Sequence, residues 1–269
     1  MSKLDPASVD ESAPGVTGRR TIRWRNGARS SVIDSVAEEV PVAMLYNGLP
    51  FSVMMATPSD LEDFALGFSM SEGLIQHASE LIGVEVRPCI EGIELCMAVS
   101  STAPAASLSP AAGRPLPGRS GCGLCGARQL EDVMRMAPPI ERPSTFPVAS
   151  LRLALASLDG MQPMNAVAGS THAAAWVEPD GRISIVREDV GRHNALDKLA
   201  GAMRRQSLPV DVGLDVAQPS SMGWWILFGA VGRRNVIWVV KRDGTRLMSE
   251  ELHDRLSLRT GWAEQLRRI

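Results

Sequence analysis

The chain has 269 residues, 45% hydrophobic and 22% charged, with a formal net charge of −2, the profile of an ordinary globular protein with room for one large domain or two small ones. The near-neutral charge and 4% aromatics exclude bulk nucleic-acid binding and a base-stacking surface. Four cysteines are too few for a secreted disulfide framework, the polar start of the chain is no signal peptide, and the strongest apolar stretch, Trp224 to Val231, is too short to span a membrane. A cytoplasmic protein with reduced thiols is expected.

In chain order, Met1 to Thr17 is rich in Ser, Pro and acid and reads as a disordered arm. Thr21 to Arg25 reads as a strand. Val40 to Tyr46 and Leu49 to Met55 are apolar runs separated by Asn47-Gly48, a two-residue hairpin signal. A helix is expected from Ser59, with Ser59 and Glu62 as a capping box. Leu61, Phe64, Ala65 and Phe68 form its buried face and Gly73 ends it. Val84 to Arg87 and Ile93 to Val99 read as a second antiparallel pair, with Cys96 on the face opposite Ile93, Leu95, Met97 and Val99. Ser100 to Gly121 offers no periodic apolar face and reads as a mobile loop. Helices are expected over Ala127 to Met136 and Leu151 to Leu158. Thr171 to Val177 and Arg182 to Arg187 read as a hairpin. Asn194 to Arg205 reads as a helix with Asn194 as its N-cap and Leu196, Leu199 and Met203 on its apolar face. The mixture is α+β or α/β.

Two clusters carry chemistry. The first is Ser120-Gly121-Cys122-Gly123-Leu124-Cys125-Gly126, a thiol pair in a glycine frame. Zinc would need two further ligands, and Cys89 and Cys96 lack a usual ligand spacing. A helix starting just after Cys125, with Arg114, Arg119 and Arg128, would favour the thiolate, the form that attacks sulfur. The motif favours sulfur or redox chemistry over zinc. The second cluster pairs Gly169-Ser170-Thr171-His172 with the run Glu188-Asp189-Val190-Gly191-Arg192-His193-Asn194-Ala195-Leu196-Asp197-Lys198. A strand-to-helix junction bearing Gly191, Arg192, His193 and Lys198 suits an anion such as phosphate, and the bland alternative is a charged helix cap.

Taken together in this order, the Cys-Gly-x-Cys-Gly loop, the Gly-x-Thr-His segment and the Glu-Asp-Val-Gly-Arg-His-Asn run resemble the formate dehydrogenase accessory sulfurtransferases, the FdhD family. The segment Glu38 to Gly73 resembles it too, and the likeness covers about Thr21 to Arg205. The resemblance implies a sulfur carrier. Such a protein takes persulfide sulfur from a cysteine desulfurase and passes it to the molybdenum, or tungsten, of a bis-guanine-dinucleotide pterin cofactor bound for formate dehydrogenase. It implies Cys122 as the carrier, Cys125 as an assisting or alternative acceptor, and Thr171, His172, Asp189, Arg192, His193 and Asn194 as cofactor-binding residues. No structural metal is expected, and a homodimer is an expected partner state.

The implied fold is α/β, a three-layer main domain like that of cytidine deaminases without their zinc site, plus a smaller N-terminal β-hairpin and helix part. His172 followed by Ala173-Ala174, and Cys122 preceded by Gly121, agree with that loss of zinc. The expected parts are a 1–17 arm, an 18–100 β/α part, a 101–126 mobile loop with the thiol pair, a 127–206 deaminase-like core and a 207–269 tail. That tail is unfamiliar beside the family and holds Trp224, Trp225, Trp238 and Trp262. Its two explanations are a shifted reading frame, the favoured one, and true divergence, and the tail is expected to be the least well-packed part of the chain. The competing functions are a zinc-binding or dithiol redox module and a non-catalytic chaperone for the enzyme or its cofactor.

Overall fold

A computed structural model describes residues 13–109, 148–178, 180–206, 224–231 and 234–240. The chain opens with an antiparallel ribbon, β1 (Val16–Arg25) and β2 (Ala28–Ala37), turned at Asn26 and Gly27. Next comes the hairpin of β3 (Val40–Tyr46) and β4 (Leu49–Ala56). Its two turn residues, Asn47 and Gly48, have φ of 48° and 82°, the left-handed pair that a tight hairpin needs. Asn47 also clasps the neighbouring strand. Its side-chain oxygen accepts from the Val99 N–H at 3.0 Å and its amide donates to the Val99 carbonyl at 3.3 Å. Helix α1 (Leu61–Ser71) and the hairpin of β5 (Leu81–Cys89) and β6 (Gly92–Val99) follow.

These strands form one sheet in the order β4-β3-β6-β5, with β3 and β6 parallel. One face carries Val42, Met44, Tyr46, Leu95, Met97 and Val99, all buried against Phe64 and Phe68 of α1. The buried Tyr46 hydroxyl is satisfied by Ser69 Oγ at 2.7 Å.

The rest of the described chain comprises α2 (Val148–Leu158), α3 (Pro163–Ala168), β7 (His172–Val177), β8 (Ile183–Asp189), α4 (Arg192–Arg205), β9 (Trp224–Val231) and β10 (Arg234–Val240). The strands pair antiparallel in the order β10-β9-β7-β8. Strand alternation assigns each face a helix. Ala173, Ala175 and Val177 pack with Ala154 and Leu158 of α2, while Ala174 and Trp176 pack with Ala195, Leu199, Ala202 and Met203 of α4. Helix α4 also lies against α1, joining the two units. The crossing is so close that a Cβ on Gly67 would strike the Asp197 carbonyl, and one on Gly201 the Asp63 carbonyl.

Several expectations need correction. The Ser59/Glu62 capping box does not form. The chain enters α1 through Asp60 at φ 51°, with no side-chain cap, Ser59 Oγ is buried without a hydrogen-bond partner, and Glu62 pairs with Arg205 at 2.7 Å. Helix α4 begins at Arg192 behind Gly191, so Asn194 sits in its first turn and is not the N-cap. The start of the expected mobile loop is packed: Ala103 and Ala105 are buried, and the Ala105 N–H donates to the Leu74 carbonyl at 2.9 Å. The tail supplies β9, which pairs with both β7 and β10 and is therefore an inner strand among the described residues. Cys122, Cys125 and the helix expected over Ala127 to Met136 lie outside the described residues.

Candidate functional site

The strand-to-helix junction is built around one carboxylate. The β7–β8 pairing sets His172 opposite Asp189 and Ala173 opposite Glu188 at the end of both strands. Asp189 is fully buried, and four donors converge on it. Its Oδ1 accepts from the Gly191 N–H at 2.7 Å and from Asn194 Nδ2 at 2.9 Å. Its Oδ2 accepts from the Thr57 N–H at 3.0 Å and pairs with Lys198 Nζ at 2.7 Å. Lys198 is equally buried and donates also to the Thr57 carbonyl at 3.0 Å. A buried ion pair is tolerable only when its remaining valences are met in this way.

Thr57, just after β4, closes the joint. Its hydroxyl accepts from the Val190 N–H at 3.1 Å. Asn194 reaches the same strand, donating to the Met55 carbonyl at 2.8 Å. The backbone that enters α4 is thus tied to the β3–β4 hairpin by residues more than 130 positions away. Gly191 fits here because a Cβ would stand 2.9 Å from Asn194 Nδ2 and 3.2 Å from its Cγ, tighter than real side chains stand.

Glu188 supports the other side. Its carboxylate accepts the N–H groups of Met164 at 2.9 Å and Asn165 at 2.8 Å, in the first turn of α3, and the Thr171 hydroxyl at 3.0 Å. Burial is the largest influence on it and raises its pKa despite those bonds. Thr171 is itself buried, so its hydroxyl is a fixed strut of this arrangement.

Arg192, His193 and His172 are the half-buried members of the set. They stand at the N-terminal turn of α4 and the start of β7, where the helix dipole favours an anion. Burial first, then the charges of Arg192 and His172, hold the His193 imidazole below its usual range. This favours the neutral imidazole, a hydrogen-bonding group, at His193. Lys198, counted in the sequence among the anion-binding charges, is spent on Asp189. The arrangement can present a guanidinium and two imidazoles on a rigid support. Thr57, Glu188 and Lys198 are the structural partners that reading by motif did not place. A signal for Lys198 did exist: it shares the helical stripe of Ala195, Leu199 and Ala202.

A cleft of about 660 Å³ lies elsewhere, beside the N-terminus of α1, lined by Ser59, Asp60, Glu62, Asp63, Arg187 and Arg205 among others. Arg187 holds Asp63 at 2.7 Å and Arg205 holds Asp63 at 3.0 Å, so its charges are largely internal. None of His172, Arg192 and His193 lines it.

The chain belongs to the FdhD/NarQ family, whose model matches residues 37–217. That range takes in Cys122, Cys125 and the whole junction, and stops before β9. The sulfur carrier protein FdhD of Xanthomonas euvesicatoria pv. vesicatoria is 47% identical over 203 residues, covering 76% of this chain and 72% of that protein. The sulfur carrier protein FdhD of Cupriavidus necator is 43% identical over 212 residues, covering 78% and 73%. Among solved structures, a protein described as a formate dehydrogenase accessory protein from Desulfotalea psychrophila matches with a TM-score of 0.52 at 23% identity, over 71% of this chain and 69% of that one. This last likeness supports the mixed α/β fold. No helix among the described residues is long and apolar enough to cross a membrane.

Proposed function

We propose that this chain is a cytoplasmic sulfurtransferase that carries sulfur as a persulfide on Cys122. The single observation that carries the reading is the place of the Cys122–Cys125 motif inside the range matched by a family whose curated relatives are named sulfur carriers. The donor is a cysteine desulfurase. The Cys122 thiolate attacks the terminal sulfur of the donor persulfide, the donor's cysteine leaves as thiolate, and Cys122 keeps the sulfur as its own persulfide. Cys125 stands by as an assisting or alternative acceptor. The glycines around both cysteines allow close approach of donor and acceptor backbones.

The acceptor is the molybdenum, or tungsten, bis-guanine-dinucleotide pterin cofactor destined for formate dehydrogenase, held here as substrate. Arg192 suits one of its pyrophosphates, and the His193 and His172 imidazoles supply hydrogen bonds beside it. Asp189, Asn194 and Thr171 act in this reading by positioning that turn, since their polar groups are already engaged inside the protein. Within the same reading, the sheet β10-β9-β7-β8 with α2 on one face and α4 on the other is the deaminase-like unit, without a zinc site.

The test is mass spectrometry of the protein after incubation with a cysteine desulfurase and cysteine. Sulfur additions are expected on the Cys122 peptide and absent in Cys122→Ala. Additions confined to Cys89 or Cys96, or stoichiometric zinc held by Cys122 and Cys125, would overturn the assignment.

A further inference from the structure

The β1–β2 ribbon is the least explained part of the described fold. It holds five arginines, Arg19, Arg20, Arg23, Arg25 and Arg29, against one acid, Asp34, in a chain whose net charge is −2. The rest of the protein is therefore clearly acidic, and positive charge is concentrated on this element. Its strands of ten residues each give a length of about 30 Å.

The register puts Trp24 opposite Arg29, Ile22 opposite Ser31 and Arg20 opposite Ile33, so these six side chains share one face. On that face Trp24 is 70% exposed, Ile22 52% and Ile33 48%. A two-stranded ribbon alone is marginal in water, and large apolar side chains clustered on an exposed face mark an interaction surface. A buried-core origin for this face is excluded by the exposure values. Trp and Arg are also the residues most enriched where binding energy concentrates.

The ribbon's root adjoins the candidate site. The Glu38 N–H donates to the Gly15 carbonyl at 2.7 Å, and a Cβ on Gly15 (φ 78°) would run into the Thr57 side chain. The same glycine faces Met164, whose N–H is held by Glu188. The arm's root thus lies against Thr57 and Met164, the two residues whose N–H groups the Asp189 and Glu188 carboxylates hold.

We infer that the β1–β2 arm is a docking surface for a protein that presents carboxylates around an apolar patch, and that this protein is the apo-formate dehydrogenase receiving the cofactor. The inference rests on the delivery reading above. Charge selects an acidic partner, and the apolar centre of Trp24, Ile22 and Ile33 selects a protein surface over a phosphate backbone, which the acidic remainder of the chain would repel. The delivery reading selects the recipient, and the arm's root lies on the Thr57 and Met164 segments that support the proposed cradle.

The experiment compares the full chain with two independent pairs, Ile22→Ser with Trp24→Ser, and Arg20→Glu with Arg29→Glu, so that one pair decides if the other fails to fold. Binding to purified apo-formate dehydrogenase is measured by interferometry, and persulfide loading of Cys122 by mass spectrometry on the same samples. Each pair is expected to weaken binding at least about tenfold, and wild-type binding to weaken as salt rises from about 50 to about 300 mM. Loading is expected to match wild type. Unchanged affinity for the apo-enzyme in the folded pairs overturns the inference. So does a loss seen only toward the desulfurase, only in self-association or only in nucleic-acid binding. Wild-type protein that binds the apo-enzyme through the arm but never loads Cys122 would instead overturn the sulfur-carrier reading and leave the docking surface standing.

Discussion

Asp189→Asn should cost more than any other single substitution of a polar residue in the described structure. The four donors on this carboxylate leave no room for an amide. If the amide nitrogen takes the place of Oδ2, it faces the Thr57 N–H and the Lys198 ammonium. If it takes the place of Oδ1, it faces the Gly191 N–H and Asn194 Nδ2. In either rotamer two donors meet a donor, and Lys198 is left as a buried cation with only carbonyls around it. Breaking a buried pair in this way costs about 3–5 kcal/mol, a fifth or more of a typical folding free energy of about 5–15 kcal/mol. Lys198→Met should cost less, because Asp189 keeps three donors and the helix dipole. Urea unfolding followed by circular dichroism gives each value, and the double variant gives the coupling. The double variant is expected to fall short of the sum of the singles by more than about 1 kcal/mol. A loss below about 1 kcal/mol for Asp189→Asn, or simple additivity, would refute the reasoning, since the pair would then not be the joint that the distances describe.

Gly67→Ala should destabilise by about 1–3 kcal/mol or more, read as a lower melting temperature, because its methyl meets the Asp197 carbonyl of α4 and forces the helices apart. An unchanged melting temperature would refute it. Asp197 itself lies in that crossing, half-buried near Glu72 and Asp189, and burial pushes its pKa up to about 7 from 3.8 against a hydrogen bond from Ser71. The folded state holds this proton more tightly than the unfolded chain does. Stability is lost as pH rises from about 4 through about 7, and Asp197→Asn should gain on wild type by up to about 2 kcal/mol between pH 5 and pH 8, after discounting for solvent screening. A pH-independent difference in melting temperature would remove the titration from the account. Arg192→Ala should weaken binding of guanine nucleotides, used as cofactor fragments, about tenfold while leaving Cys122 loading intact; calorimetry showing no loss would return Arg192 to a structural cap.

Local signals were legible where the physics is local. Asn47-Gly48 announces a turn whose backbone needs two left-handed residues, and both adopt that conformation. The apolar stripe of Leu61, Phe64, Ala65 and Phe68 is buried as its spacing requires. The helix starts were misread because distant partners overrode neighbours. Glu62 had a nearby cap to make, yet a guanidinium 143 positions on draws it away. Asn194 looked like a cap, yet Asp189 and the Met55 carbonyl use its amide inside the fold. Lys198 looked like one charge of an anion cradle because nothing local shows that a buried carboxylate waits across the turn. The parallel pairing of β3 with β6 is also invisible to turn chemistry, since the helix α1 crossover that permits it is a tertiary fact.

The same long-range ties explain why the run from Glu188 to Lys198 is dense in polar residues of which few face outward. Glu188 fixes α3, Asp189 and Lys198 fix the Thr57 segment, and Asn194 fixes the end of β4. Four of the charged or amide side chains in this run thus act on backbone, two of them on the same Thr57 peptide groups. What remains at the rim is Arg192 and His193, with His172 beside them across the strand pair. A catalytic acid or base would need a proton-active group at that rim, and burial has moved His193 toward neutrality without giving it a carboxylate partner in the described structure. A rim of this kind is better suited to holding a large anion still than to transferring protons. Under the proposed function this sets a division of labour: chemistry at sulfur would belong to the cysteine motif, and the junction would supply a rigid place at which its acceptor is held.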